Sequence, residues 1–153
     1  DGLFMAYSHI AHDCQVGNNV LFANGGTLAG HVVVGDFAAI GALSAVHQFC
    51  LVGEHAYIGG GTIATKDCLP FMKTVGSRPA RCFGPNSIGL ERKGFSEERR
   101  RAIKAAWRLL HRGDLTTSEA LALIRERLTG EPDAMRLVDF ISVSQRGVIL
   151  ARG

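Results

Sequence analysis

A six-residue hydrophobic period runs through the first half of the chain. Stepping by six from Phe4 meets Ile10, Val16, Phe22, Leu28, Val34, Ile40, Val46, Val52, Ile58 and Ala64, apolar without a break. Two residues ahead of each position from Ile10 onward stands a small or β-branched residue: Ser8, Cys14, Val20, Gly26, Val32, Ala38, Ser44, Cys50, Ala56 and Thr62. Gly often follows directly, as at Gly17, Gly35, Gly41, Gly53 and Gly59. A helix repeats at 3.6 and a strand at 2, so neither accounts for a strict six. A parallel β-helix does, each hexad being one short strand plus a corner. The large apolar residue then points inward, the small one fits where the interior narrows, and Gly is expected to supply the unusual corner dihedrals. Three hexads close one triangular coil of 18 residues. The pattern is that of left-handed hexapeptide-repeat proteins.

Beyond residue 70 the period changes. Pro70, Pro79, Pro85 and several Gly make 71–95 a connector. Ser96 with Glu97 and Glu98 predicts a helix over 96–112 that stops at Gly113, with Ile103, Ala106, Trp107 and Leu110 on its apolar face. Thr116 and Glu119 form a capping box for a second helix ending near Gly130. Pro132 starts a third, which runs to about Ser144. The expected organisation is a β-helix over 1–70, a connector over 71–95 and a small helical domain over 96–153.

The halves differ in charge. Residues 1–70 hold one basic and five acidic side chains, the rest 16 basic and nine acidic, so −4 is followed by +7. An anionic partner for the second half is implied, but the aromatic and basic motifs of nucleic-acid readers are missing, so no nucleic acid is expected. No apolar run is long enough to cross a membrane. Cys14, Cys50, Cys68 and Cys82 show neither CxxC nor framework spacing, which points to a reduced, cytoplasmic setting and to packing roles. The chain opens on Asp1 without a signal-peptide pattern, and the missing initiator Met reads as a fragment or a trimmed product.

Position modulo 18 predicts which residues stack from coil to coil. His9, His12, His31 and His47 fall in a five-residue window on three adjacent coils, about 4.8 Å apart, while His55 lies on another side. Such a wall of imidazoles suits proton transfer or metal binding. His12, Gly30 and Gln48 share one phase, and Asp13, His31 and Phe49 the next. Gly30 thus sits one coil from His12 without a side chain, and its N–H is an oxyanion donor by position. Asp13 is placed to orient a neighbouring imidazole, although adjacent residues on a strand usually face opposite ways.

The run His9-Ile-Ala-His12-Asp13-Cys14, then Leu28-Ala-Gly-His31, then Ala45-Val-His-Gln-Phe49 closely resembles the UDP-N-acetylglucosamine O-acyltransferases of lipid A biosynthesis. Phe83-Gly84, Asn86, Gly89-Leu90, Arg92-Lys93-Gly94-Phe95 and Arg146-Gly147 continue that resemblance in order over nearly the whole chain. It implies an enzyme that moves a 3-hydroxyacyl group from acyl carrier protein to the sugar 3-hydroxyl of UDP-N-acetylglucosamine, in the cytoplasm of a Gram-negative bacterium. By resemblance His12 is the general base, Asp13 the acid beside it and Gly30 the oxyanion donor. His9, His31, His47 and Gln48 line the substrate cleft, and Asn86, Arg92 and Lys93 lie on the nucleotide side. Gly60 matches a position where side-chain bulk limits acyl length. The resemblance also implies a homotrimer with active sites between subunits, further coils ahead of this chain, and neither cofactor nor catalytic metal. The alternatives are a zinc-dependent hydratase of the carbonic-anhydrase kind, holding metal on three histidines shared across a subunit interface, or a non-catalytic trimeric scaffold.

Overall fold

The computed structural model describes residues 1–151, so the last two positions of the expected helical domain lie outside the described residues. Eleven short strands occupy the repeats: β1 (Gly2–Phe4), β2 (His9–Ile10), β3 (Gln15–Val16), β4 (Val20–Phe22), β5 (Thr27–Leu28), β6 (Val33–Val34), β7 (Ala39–Ile40), β8 (Ala45–Val46), β9 (Leu51–Val52), β10 (Tyr57–Ile58) and β11 (Ile63–Ala64). They pair in parallel with partners 18 residues away, such as His9 with Thr27 and Leu21 with Ala39. Every third strand therefore joins the same sheet. A first sheet holds β1, β4, β7 and β10, a second β2, β5, β8 and β11, a third β3, β6 and β9. The result is the left-handed parallel β-helix that the period predicts.

Its interior is the apolar series of the sequence from Phe22 to Ala64, whereas Phe4 and Ile10, in the first coil, are exposed and Val16 is half-buried. Phe22, Leu28, Ile40 and Ile58 are fully buried, each contributing about 1.5–3 kcal/mol by leaving water. The small series points inward as well: Val32, Ala38, Cys50 and Thr62 are all buried. Burial pushes the Cys50 thiol up to about 11 and that of Cys82 to about 12, which keeps both protonated.

The corners differ from expectation. Left-handed backbone recurs every six residues, but at Tyr7, Asp13, Asn19, Gly25, His31, Phe37, Leu43, Phe49, His55 and Gly61, not at the glycines that follow the apolar positions. Each such residue costs about 1–2 kcal/mol when it carries a side chain. A rung of hydrogen bonds holds it there: His31 N–H donates to His12 O, Phe37 N–H to Asn18 O and Phe49 N–H to Gly30 O. The glycines serve another purpose. A Cβ on Gly41 or Gly53 would collide with the backbone of the adjoining coil, at Gly60 N and Pro70 Cα respectively, both 2.6 Å away. These glycines let successive coils approach, and their own dihedrals are ordinary.

After β11 the coil shortens. Tyr57 pairs with Lys73, a step of 16, where β12 (Met72–Val75) extends the first sheet. Within the expected connector, β13 (Arg81–Pro85) folds back antiparallel on β12, and α1 (Ser87–Arg92) follows. The connector is therefore structured, because Met72, Thr74 and Cys82 alternate inward and cover the end of the β-helix.

Three longer helices complete the chain: α2 (Glu97–His111), α3 (Thr117–Arg127) and α4 (Pro132–Val143). Ser96 accepts from Arg99 N–H, and Thr116 with Glu119 forms both bonds of the capping box. Helix α3 ends at Arg127, short of the Gly130 stop expected from sequence. Asp67, buried at the end of the repeats, ties the tail back: it accepts from Leu51 N–H at 2.7 Å and Ser144 Oγ at 2.6 Å. No helix among the described residues is long and apolar enough to cross a membrane.

Candidate active site

The corner between the second and third sheets carries His12, Asp13, Gly30, His31 and Phe49 on three successive coils. Residues adjacent on a strand face opposite ways, but Asp13 is left-handed at φ 58°, and this turns its carboxylate back toward its neighbour. His12 Nδ1 lies 2.9 Å from Asp13 Oδ2 and His31 Nε2 lies 3.7 Å from the same oxygen. The hydrogen bond from His12, then the charge of His31, hold the Asp13 carboxyl below its ordinary value. An ionised carboxylate only accepts, so His12 Nδ1 donates in this bond and Nε2 is the nitrogen whose lone pair a neutral ring would offer.

Gly30 faces that lone pair. A Cβ built on Gly30 would lie 2.7 Å from His12 Cε1 and 2.8 Å from Nε2. The Gly30 N–H makes no hydrogen bond among the described residues, whereas its carbonyl accepts from Phe49. His31 is fixed from both sides, edge-on to His12 at 5.1 Å and stacked on Phe49 at 4.6 Å with the rings 7° from parallel. The corner is solvent-facing, with His12 and Asp13 both mostly exposed.

Other predicted residues fall elsewhere. His47 and Gln48 occupy the next coil at the same corner, with His47 Nδ1 3.3 Å from Gln48 O. His9 is exposed on β2, paired across to Thr27. Gly60 stands at the corner between the first and second sheets, where an added Cβ would meet only the Ala42 backbone, at 3.3 Å or beyond. Asn86, Arg92 and Lys93 come together, but not with His12. They line a cleft of about 600 Å³ at the third corner, with Phe37, His55 and Tyr57.

Those aromatic and imidazole members carried no sequence signal beyond a shared phase for residues 37 and 55. Phe37 and His55 stack at 4.7 Å, Lys93 Nζ stands 5.2 Å from the Phe37 ring centroid, and Asn86 Nδ2 donates to His55 O. Burial first, then the charges of Arg99 and Lys93, push His55 down to about 4, so its ring is neutral at ordinary pH. An aromatic wall, two flexible cations and a side-chain amide suit a planar base with phosphates.

For metal, the candidate group among the described residues is His12, Asp13 and His31, with ligating atoms within 4.8 Å. It offers two imidazoles and a carboxylate already engaged by His12. His9 and His47 stay outside it, so a three-histidine zinc set does not assemble within this corner.

Residues 67–149 match the family model described as UDP-N-acetylglucosamine O-acyltransferase, domain 2. A curated acyl-[acyl-carrier-protein]–UDP-N-acetylglucosamine O-acyltransferase from Burkholderia orbicola is 44% identical over 153 residues, covering 97% of this chain and 58% of the relative. One from Anaeromyxobacter is 42% identical over 147 residues, covering 96% and 57%. Among solved structures, the Francisella novicida UDP-N-acetylglucosamine acyltransferase superposes with a TM-score of 0.94 at 34% identity, covering 100% of this chain and 56% of that one. The Bacteroides fragilis UDP-N-acetylglucosamine acyltransferase gives 0.93 at 38%, covering 97% and 58%. The chain thus spans a little over half the length of the relatives it matches.

Proposed function

Because this chain belongs to the UDP-N-acetylglucosamine O-acyltransferase family, we propose that it transfers a 3-hydroxyacyl group from acyl carrier protein to the 3-hydroxyl of UDP-N-acetylglucosamine. The observation that carries the reading is the pairing of His12 with Asp13, with Gly30 against the free edge of the imidazole.

His12 Nε2 takes the proton of the sugar hydroxyl as its oxygen attacks the thioester carbonyl. The Asp13 carboxylate holds Nδ1–H in place and stabilises the imidazolium that forms. Charge developing on the carbonyl oxygen is received by the Gly30 N–H. When the tetrahedral intermediate collapses, the C–S bond breaks and the thiolate takes the proton back from Nε2. His31, propped by Phe49, shares the Asp13 charge and lines the acceptor site with His9, His47 and Gln48. Asn86, Arg92 and Lys93 receive the nucleotide. Lys93 gives a point charge where Arg would give a planar fork, so the phosphate contact there is not bidentate.

In one chain the His12 corner, the nucleotide cleft and Gly60 occupy three different corners of the prism. A homotrimer would bring the cleft of one copy beside the His12 corner of the next, and its site would lie between subunits. Gly60 leaves room for a long acyl chain. The setting is the cytoplasm, and the units are the β-helix to about residue 70, the covering hairpin and α1, and the helical domain.

The test uses the protein at its full natural length. It is mixed with UDP-N-acetylglucosamine and 3-hydroxyacyl carrier proteins of several lengths, and the nucleotide sugars are weighed by mass spectrometry. A gain of one hydroxyacyl group is expected, lowered about 10²–10⁴-fold in His12→Ala. Full activity in that variant ends the assignment of the base, and no gain with any donor ends the acyl-transfer reading.

A further inference from the structure

The three polar side chains of the active corner also converge as donor atoms on one region of space. His12 Nδ1, Asp13 Oδ2 and His31 Nε2 all lie within 4.8 Å of one another. The carboxylate oxygen is 2.9 Å from the first nitrogen and 3.7 Å from the second. Donors bound to one tetrahedral zinc at about 2.0–2.1 Å stand about 3.4 Å apart, so these two distances already bracket the spacing an ion needs. Two of the three donors are held in place. His31 stacks on Phe49 at 4.6 Å, and its N–H donates to His12 O at 3.0 Å. Asp13 sits at the same left-handed corner one coil away, at φ 58° against 60° for His31. Turning the exposed His12 ring is the one adjustment left, which keeps the ordering cost of binding low.

We infer that His12, Asp13 and His31 form an inhibitory site for a divalent cation of the zinc class, and that filling it silences the general base. The silencing rests on the acyl-transfer reading, whereas the binding does not. Two imidazoles and one carboxylate choose the ion: imidazole suits zinc, copper or nickel, while magnesium and calcium take oxygen donors. Water completes the coordination, as in zinc sites that keep a position open. The side chains of His12, Asp13 and His31 are 72%, 65% and 42% exposed, so the ion exchanges with solvent and is an effector, not a resident group. It takes Nδ1 of His12, the nitrogen that donates to Asp13. The proton displaced from Nδ1 passes through water to Nε2. The ring stays neutral, but the lone pair that would receive the proton of the sugar hydroxyl is gone. No bond to substrate forms, and nothing is oxidised or reduced.

The experiment strips the full-length protein with EDTA, removes the chelator and titrates Zn²⁺ by calorimetry. His31→Gln and Asp13→Asn should each weaken binding by about 100-fold, the upper end of what losing a group that merely supports a ligand costs. His9→Gln and His47→Gln should bind as wild type, and melting temperatures should show every variant folded. Imidazole ¹⁵N spectra of the zinc-loaded wild type should show His12 bound through Nδ1 and protonated at Nε2, a readout that needs no variant. At saturating Zn²⁺ acyl transfer should fall about 10²-fold or more, the contribution of a general base, and return with EDTA, while Mg²⁺ leaves it unchanged. Binding unaltered in both His31→Gln and Asp13→Asn overturns the site, and coordination through Nε2 overturns the proton shift. A rate that holds or rises with the ion bound overturns the inhibition. If the wild type transfers nothing without metal, the acyl-transfer reading has failed separately. Calorimetry and the spectra then decide the site by themselves.

Discussion

Replacing Gly30 by Ala perturbs the active corner by a single methyl group. The Gly30 backbone is not left-handed, so alanine is free to adopt its dihedrals. The added Cβ would lie 2.7 Å from His12 Cε1 and 2.8 Å from Nε2, against an ordinary contact distance of 3.4 Å or more. The imidazole must retreat by about 0.7 Å, and since 72% of the His12 side chain is exposed it is free to do so. That movement opens the 2.9 Å bond to Asp13 and carries Nε2 away from the hydroxyl it deprotonates. Misplacing a reacting group by about 1 Å costs on the order of 10²-fold, or about 2.7 kcal/mol of transition-state stabilisation. Gly30 itself is buried, but the three nearest atoms that its Cβ would meet all belong to the exposed His12 ring, so the folded state should lose far less than the transition state does. Acyl transfer under subsaturating substrate and a thermal melt on the same preparation measure both quantities. Wild-type turnover in Gly30→Ala would refute the packing of this glycine against the base, and a large fall in melting temperature would place its role in folding.

Gly53→Ala should behave in the opposite way, because its Cβ meets the Pro70 backbone, which cannot swing aside; a loss of about 1–3 kcal/mol is expected in urea unfolding, and an unchanged midpoint would contradict the tight coil contact. Asp67→Ala strips buried partners from Leu51 N–H and Ser144 Oγ and should cost about 2–4 kcal/mol by the same measurement, with a loss under 0.5 kcal/mol counting against the tie. His55 titrates near 4 when folded and near 6.5 when unfolded, so the unfolded chain binds more protons between these values. Its contribution to stability is therefore complete above about pH 6.5 and is lost as the pH falls toward 4; His55→Gln should flatten that part of the melting profile, and an unaltered profile would remove the group from the account.

The repeat, its inward residues and the two capped helix starts were legible because each rests on local chemistry. A buried position every six residues admits only apolar side chains, and Ser96 and Thr116 satisfy helix ends through atoms within a few residues, while Pro132 at the start of α4 has no N–H that needs a partner. The corner conformation was not legible. Tyr, Asp, Asn, Gly, His, Phe and Leu all serve there, since the rung hydrogen bonds impose left-handed backbone whatever the side chain. The hairpin β12–β13 and α1 were hidden for a related reason: Met72, Thr74 and Cys82 become core residues only because the β-helix end lies beneath them.

The sequence alone therefore determined the coil length, the direction of the core and which side chains share a corner, all consequences of a strict period. Tertiary structure decided what that period cannot encode. It turned Asp13 onto His12, fitted the bare Gly30 against the imidazole edge, and set Asn86, Arg92 and Lys93 beside Phe37 and His55 at a different corner. Those relations depend on backbone handedness at a few residues and on how a non-repeating segment closes the helix. Side-chain identity at any one position does not specify either.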